Sequence, residues 1–444
     1  MLAAAWLRLP GLTAEEPWFD EVFSIVLASQ DLPELLRRTL ADQTNPPGFY
    51  LLLWAWTRVG GFDLAWMRLL PALAGTLTVP ALVLAARATG ASWSGALMAG
   101  ALVAVSPIAL AMSSELRAYT PLALATALAI TAAAGRRPVA LALCGLALVS
   151  LHYFGALVVA ALAVGMLWAD RHQPRHAILP ALPAAAALAT WGLLVYATGD
   201  GGTVGGNASW IPPVGLRALP SFGSVIVGTF DTAWGAVGVP LAFALALLLS
   251  VREAVSRPGS DRTRAARIVI AVAVLPFALV AVATQLTDRA LWVPRYLIIA
   301  LPGWILLVQR GIDRPGRWRT GVITALLVWA TLAGIFAEQV RPRKTAWSRV
   351  TRALTGGTAR TICVNESYVA LPLRYQAVSS QVPLTVLDLA DCTAERRPDA
   401  IILRDGTEAS LERLRDAGAL TGRARDLGTA LPATSIVPLQ WPGR

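Results

Sequence analysis

"VSPIALAMSSELRAYTPLALA", residues 105–125, places the polar stretch Ser113–Arg117 between two apolar runs. About 20 apolar residues cross the roughly 30 Å hydrocarbon core of a bilayer. Two such runs joined by a short loop holding Glu115 and Arg117 therefore read as two spans meeting at one membrane boundary, where charged groups are costly and informative. The same alternation continues in both directions. Spans are expected at 66–86, 92–112, 119–134, 138–151, 153–169, 176–196, 233–251, 267–286, 292–309 and 320–337, about ten in all. The chain is thus expected to be an α-helical polytopic membrane protein.

The composition agrees with this reading. Only 15% of the 444 residues are charged and 56% are hydrophobic, against about 25% charge in an ordinary soluble domain. The net charge of +11 sits mostly in short loops between apolar runs, which assigns it to topology and argues against a nucleic-acid partner. Arg87, "GRRP" (135–138), "DRHQPRH" (170–176), "VREAVSRPGSDRTRAAR" (251–267) and "QRGIDRPGRWRT" (309–320) all fall on one side, cytoplasmic by the positive-inside rule. The other side receives "SSELRAYT" (113–120), "LHYFG" (151–155), the Gly-rich "TGDGGTVGGNASWIPP" (198–213), "TDRALWVPRY" (287–296) and everything after 338. The Gly-rich stretch reads as a mobile lid. Lys344 is the single lysine in an arginine-rich chain.

This parity puts Asp20 and Glu21 of "PWFDEVFS" (17–24) outside the cell, yet residues 1–12 are too short to span. A first span is expected to be missing upstream of Met1. The stretch 41–66 is apolar, Trp-rich and flanked by Pro and Gly, the pattern of an interfacial helix. Beyond 338, short β-branched runs alternate with helical patterns, so a small α/β domain is expected outside the membrane. The division is 1–337, including an outer juxtamembrane loop at 14–65, followed by 338–444. Cys363 and Cys392 lie on the oxidising side, where they can be bridged or stand as separate thiols. No zinc or redox spacing is present.

Polar groups converge on the outer side: Asp20 and Glu21; Asn45 beside Pro46 and Pro47; Glu115, Arg117 and Tyr119; Arg295 and Tyr296; and His152 with Tyr153. Asp20 and Glu21 are about 100° apart on a helix, so one can face a cavity while the other holds a neighbour.

The order of motifs "PWFDEVFS", "NPPGFYLLLWAW" (45–56), "MRLLPALAGTLTVPAL" (67–82), "VSPIALAMSSELRAYTPLALA", "HYFG" (152–155) and "RYLIIALPGWILL" (295–307) resembles the GT-C glycosyltransferases of the family 39 type. That group includes protein O-mannosyltransferases and the aminoarabinose transferase of lipid A. "RKTAWSRV" (343–350) looks like the segment that opens the outer domain in bacterial members. The resemblance implies the GT-C fold and transfer of a monosaccharide from a polyprenyl-phosphate carrier, with inversion, to a protein, lipid or glycan acceptor at the outer face of a bacterial plasma membrane. Asp20 would then be the catalytic general base. Arg117 and Arg295 would stabilise the departing phosphate. Glu21 and Glu115 would orient these groups or bind sugar hydroxyls, and Tyr119, His152, Tyr153 and Tyr296 would contact the donor. Some relatives carry a basic or metal-ligating residue near the Pro-Pro motif. Asn45 stands here instead, as a polar substrate contact, so the sequence gives no support to a divalent metal and names no cofactor. Two rivals are a transporter or flippase for a lipid-linked sugar and a non-catalytic membrane scaffold. A transporter is expected to show repeats or broken spans with polar groups at mid-membrane, whereas the polar clusters here are one-sided.

Overall fold

The computed structural model describes residues 1–198, 260–286, 293–312, 344–355, 360–404, 408–423 and 434–441, with isolated positions between 244 and 255, at 321 and at 425–426. The chain divides into two compact units. One comprises Met1–Leu12 with Leu27–Arg341, the other Thr13–Val26 with Pro342–Arg444.

The first unit is helical. Its elements are α1 Leu2–Trp6, the end of α2 Phe19–Ser29, α3 Leu32–Asp42, α4 Gly48–Gly60, α5 Leu64–Ala88, α6 Trp93–Val105, α7 Pro107–Ser113, α8 Tyr119–Ala134, α9 Pro138–Leu151, α10 Gly155–Ala169, α11 Arg175–Thr198, α12 Asp261–Leu286, a 3₁₀ helix Pro294–Ala300 and α13 Leu301–Ile312. Helix starts follow capping chemistry. Asp31, Asp63 and Ser92 accept from the backbone N–H of Glu34, Trp66 and Gly95 at the starts of α3, α5 and α6. Between α6 and α7, Ser106 is extended before Pro107, as the residue before a proline prefers, and the two helices bend by 55°.

Among the described residues α5, α11 and α12 are long and apolar enough to cross a membrane, and α6 with α7 makes a fourth span if the bent pair crosses together. The expected spans at 119–134, 138–151 and 153–169 appear as the shorter apolar helices α8, α9 and α10. The stretch at 292–309 becomes the 3₁₀ helix followed by α13. The expected spans at 233–251 and 320–337, and the Gly-rich stretch at 198–213, lie mostly outside the described residues. The apolar stretch inside 41–66 is α4, whose Phe49, Tyr50, Leu53 and Thr57 are buried.

Helices pack closely through small residues, as membrane bundles require. A Cβ on Gly303 of α13 would lie 2.8 Å from the Ala273 backbone nitrogen of α12. Arginines of the basic stretches, which the structure places on α12 and α13, serve the fold directly. Arg264 donates to the carbonyls of Ala133 (2.8 Å) and Ala134 (3.2 Å) at the end of α8 while binding Asp170 at 2.6 Å. Arg310 donates to the carbonyl of Thr89, just past α5, at 2.7 Å, and Arg267 to that of Trp168, near the end of α10, at 2.7 Å. Guanidinium groups thus occupy carbonyls left without intrahelical partners and the negative ends of helix dipoles. These arginines tie neighbouring helices of the bundle together.

The C-terminal part of the second unit forms the expected α/β domain, and Thr13–Val26, read from the sequence as part of the juxtamembrane loop 14–65, belongs to the same unit. Strands β1 Thr361–Val364, β2 Thr385–Asp388, β3 Ala400–Arg404 and β6 Thr434–Gln440 run in the order β2-β1-β3-β6, with β4 Leu420–Thr421 and β5 Arg425–Asp426 both paired to β6. β1 is parallel to both β2 and β3, and β6 is antiparallel to β3. Period-two alternation splits the core. Ile362, Val364 and Ile402 pack with Trp347, Val350 and Leu373 on one face. Cys363, Ile401 and Val437 pack with Leu387, Leu414 and Trp441 on the other. Cys363 and Cys392 are disulfide-bonded, which resolves the two possibilities left by the sequence.

Candidate active site

Within the helical unit the loop between α7 and α8 is a tight turn. The N–H groups of Ser114 and Glu115 donate back to Ala111 and Met112, and Arg117 N–H donates to the Glu115 carbonyl at 2.7 Å. At its α7 end, Ser113 packs so close to Gly75 of α5 that a Cβ there would meet the Ser113 hydroxyl. At its α8 end, Thr120 Oγ1 donates to the Pro71 carbonyl of α5 at 2.7 Å. The loop is therefore fixed at both ends to one helix, and Glu115 and Arg117 are both buried.

Arg117 Nη1 donates to the Tyr50 hydroxyl at 3.2 Å. An aromatic group gathers around Tyr296, whose ring centre lies 5.0 Å from that of His152, 5.4 Å from that of Phe154 and 6.2 Å from that of Tyr119. The Arg295 guanidinium carbon lies 5.7 Å from the centre of the Tyr296 ring, within cation–π range. His152 sits in the connection between α9 and α10, and its Nδ1 accepts from Phe154 N–H at 3.1 Å. Burial and the Arg117 charge push its pKa down to about 3. The imidazole is thus neutral at physiological pH, with its proton on Nε2 and available to donate.

Tyr153 belongs to a different group from its neighbour His152. Its hydroxyl donates to the Gln43 carbonyl at 3.3 Å and accepts from Trp191 Nε1 at 3.0 Å. Asn45 is buried in the same connection between α3 and α4, where its Nδ2 donates to Thr44 Oγ1 at 3.3 Å. Thr44 Oγ1 in turn donates to the Asp42 carboxylate. Gln43 adopts φ +58°, a left-handed conformation that turns the chain out of α3.

Within the second unit, Asp20 and Glu21 occupy the first turn of α2. Asp20 is half-buried, and its carbonyl accepts from Ser24 Oγ at 2.9 Å. Glu21 is completely buried and bound to Lys344 Nζ at 2.8 Å. Among the described residues no three His, Cys, Asp or Glu side chains gather into a group that could hold a metal ion.

Sequence reasoning missed Tyr50, Phe154 and Lys344. Tyr50 lies inside "NPPGFY", but an aromatic in an apolar run carries no mark of its partner. Lys344 did carry a signal: it is the only lysine among the 38 basic residues.

No protein-family model matches the sequence, and no curated protein matches it. Solved structures do match. ArnT from Cupriavidus metallidurans in the apo state aligns over 99% of this chain and 96% of its own at 13% identity and a TM-score of 0.63. The same protein bound to undecaprenyl phosphate aligns over the same shares at 13% identity and a TM-score of 0.60. The Archaeoglobus fulgidus oligosaccharyltransferase, tethered to an acceptor peptide, aligns over 91% of this chain and 68% of its own at 10% identity and a TM-score of 0.50. Aligned with ArnT over nearly the whole length of both chains, the chain has the GT-C glycosyltransferase fold.

Proposed function

We propose that the chain is a membrane glycosyltransferase that moves a monosaccharide from a polyprenyl-phosphate carrier to an acceptor hydroxyl at the outer face of a bacterial plasma membrane. The observation that carries this reading is Arg117, a buried guanidinium bound to Tyr50 beside a neutral imidazole and clustered phenols. A cation in such a low-dielectric setting binds an arriving phosphate far more strongly than one in water. The fold adds weight, since the structurally similar ArnT is seen with undecaprenyl phosphate. A disulfide between Cys363 and Cys392 supports an oxidising environment for the second unit, in keeping with an outward-facing site rather than a cytoplasmic nucleotide-sugar donor.

In the transfer, the Asp20 carboxylate takes the proton of the acceptor hydroxyl as its oxygen bonds to the anomeric carbon from the face opposite the phosphate. The bond between that carbon and the phosphate oxygen breaks, and its electron pair leaves on the polyprenyl phosphate. Arg117 and Arg295 stabilise the charge that develops there. Tyr119 and Tyr296 bind the donor, and His152 Nε2–H is a donor to a sugar or phosphate oxygen. Glu115 orients Arg117 within the same turn. Asn45 and Tyr153 form a separate polar contact for substrate at the α3–α4 connection.

The test is transfer by the purified protein from undecaprenyl-phosphate-linked mannose, glucose, galactose and arabinose, each radiolabelled, to extracted envelope lipid, glycan and protein. Label in a new glycosidic product supports the reading. Label moved across vesicle membranes without a new bond would make the protein a flippase, and retention of all label on every donor would leave a scaffold.

A further inference from the structure

The second unit contains more than the C-terminal residues. The segment Thr13–Val26, which carries Asp20, is part of it, held by contacts of three kinds. Glu21, with no exposed surface, takes a charge-assisted hydrogen bond from Lys344 at 2.8 Å, although 323 positions separate them. Glu16 Oε2 accepts from Ser348 N–H at 2.7 Å, at the start of helix Trp347–Thr355. The Phe19 ring lies 5.7 Å from that of Tyr368.

Tyr368 marks where on the sheet this happens. β1 leads through helix Ser367–Ser379 to its parallel neighbour β2, and the chain then crosses to the other side of β1 to form the parallel β3. The strand order therefore reverses at β1. In α/β folds the carboxyl end of the strands at such a reversal is where ligands bind. Tyr368 stands there, in the first turn of the helix that follows β1. The position that open α/β sheets use for a ligand is here met by Phe19 of the chain's own segment, next to Asp20.

We propose that Lys344 is a positioning residue for Asp20: the buried Lys344–Glu21 pair, with the Phe19–Tyr368 contact at the carboxyl edge of the sheet, makes the α/β unit the holder of the catalytic base. This rests on the reading of Asp20 as base. A fully buried ion pair is a poor source of net stability but a strict one of geometry, because losing either partner strands a charge. Fixing the first turn of α2 fixes the direction of the adjacent carboxylate, and a misplacement of about 1 Å at a reacting group costs about 10²-fold in rate.

The experiment uses full-length protein in nanodiscs with Lys344→Met, Lys344→Arg and, separately, Asp20→Asn. Hydrogen–deuterium exchange is read across residues 13–26, and turnover is measured on whichever of the four undecaprenyl-phosphate-linked sugars the wild type consumes. Lys344→Met is expected to raise exchange across 13–26 by about tenfold or more, and to lower kcat by about 10²-fold while KM for the donor stays within about threefold. Lys344→Arg, which keeps the charge, is expected to restore most of both. Unchanged exchange in 13–26, or unchanged kcat, overturns the proposal. So does a loss spread evenly over the whole unit, with KM rising and no rescue by arginine, which is the pattern of a merely structural residue. Retained turnover in Asp20→Asn would remove the base reading instead, and the exchange measurement would still decide whether Lys344 holds the segment.

Discussion

Arg117 Nη1 donates to the Tyr50 hydroxyl at 3.2 Å, joining the turn before α8 to the first helical turn of α4, 67 positions earlier in the chain. The bond sets the plane of a guanidinium whose fork shape matters for phosphate. Hydrogen bonds to charged groups contribute about 1.5–3 kcal/mol, so Tyr50→Phe is expected to weaken undecaprenyl phosphate binding by at least about tenfold. Arg117→Lys keeps the charge but loses the planar fork and is expected to weaken it further. Titration of the lipid phosphate into purified variants checks both. Equal affinity across the wild type and the two variants would remove Arg117 from the donor site.

His152 supplies a pH signature. Its native pKa of about 3 lies below the ordinary value near 6.5, so above pH 6.5 folded and unfolded chains both hold it neutral. As pH falls from 6.5 toward 3, the unfolded chain takes up a proton that the native site refuses, and stability is lost across that window. Thermal melting from pH 7 to 4 is expected to show this loss, and His152→Gln, which cannot titrate, is expected to flatten it. An identical slope in the variant would mean that His152 titrates normally. The turnover profile should carry no limb from His152 between pH 5 and 8.

The disulfide is checked by counting thiols. Cys144 is the free cysteine, while Cys363 and Cys392 are bonded. Alkylation of denatured, unreduced protein is expected to add one label and alkylation after reduction three. Closing a loop between positions 29 apart restrains the unfolded chain by about 3–4 kcal/mol, so the Cys363→Ala/Cys392→Ala double variant is expected to melt earlier in its C-terminal unit. Three labels without reduction would contradict the bond.

Much of the helical unit was legible in the sequence because long apolar runs and their charged interruptions are one-dimensional signals. Helices α5, α11 and α12 follow the expected stretches closely, and the "ELRAY" turn lies where two runs meet. The grouping of Arg117, Tyr119, His152 and Tyr296 was also legible, since span parity puts their loops on one side. What parity cannot give is side-chain direction. His152 and Tyr153 are adjacent, yet one joins Tyr296 and the other Gln43 and Trp191, because the backbone is extended at His152, where α9 ends. The link between Glu21 and Lys344 lay beyond any local pattern. Expected to orient the reacting groups or bind sugar hydroxyls, Glu21 stands in the structure as the buried partner of a lysine from the other end of the chain. The bend between α6 and α7 was written in Ser106-Pro107, within the stretch 92–112 read as one span.

Transfer requires that the acceptor hydroxyl lose its proton, and the substitution that removes only that capacity is Asp20→Asn, which keeps the shape and loses the base. Single-turnover transfer of a radiolabelled sugar from undecaprenyl phosphate should fall by at least about 10²-fold in this variant, the lower range for general base catalysis, while undecaprenyl phosphate binding and the melting profile stay at wild-type values. Transfer by Asp20→Asn at the wild-type rate would contradict the account.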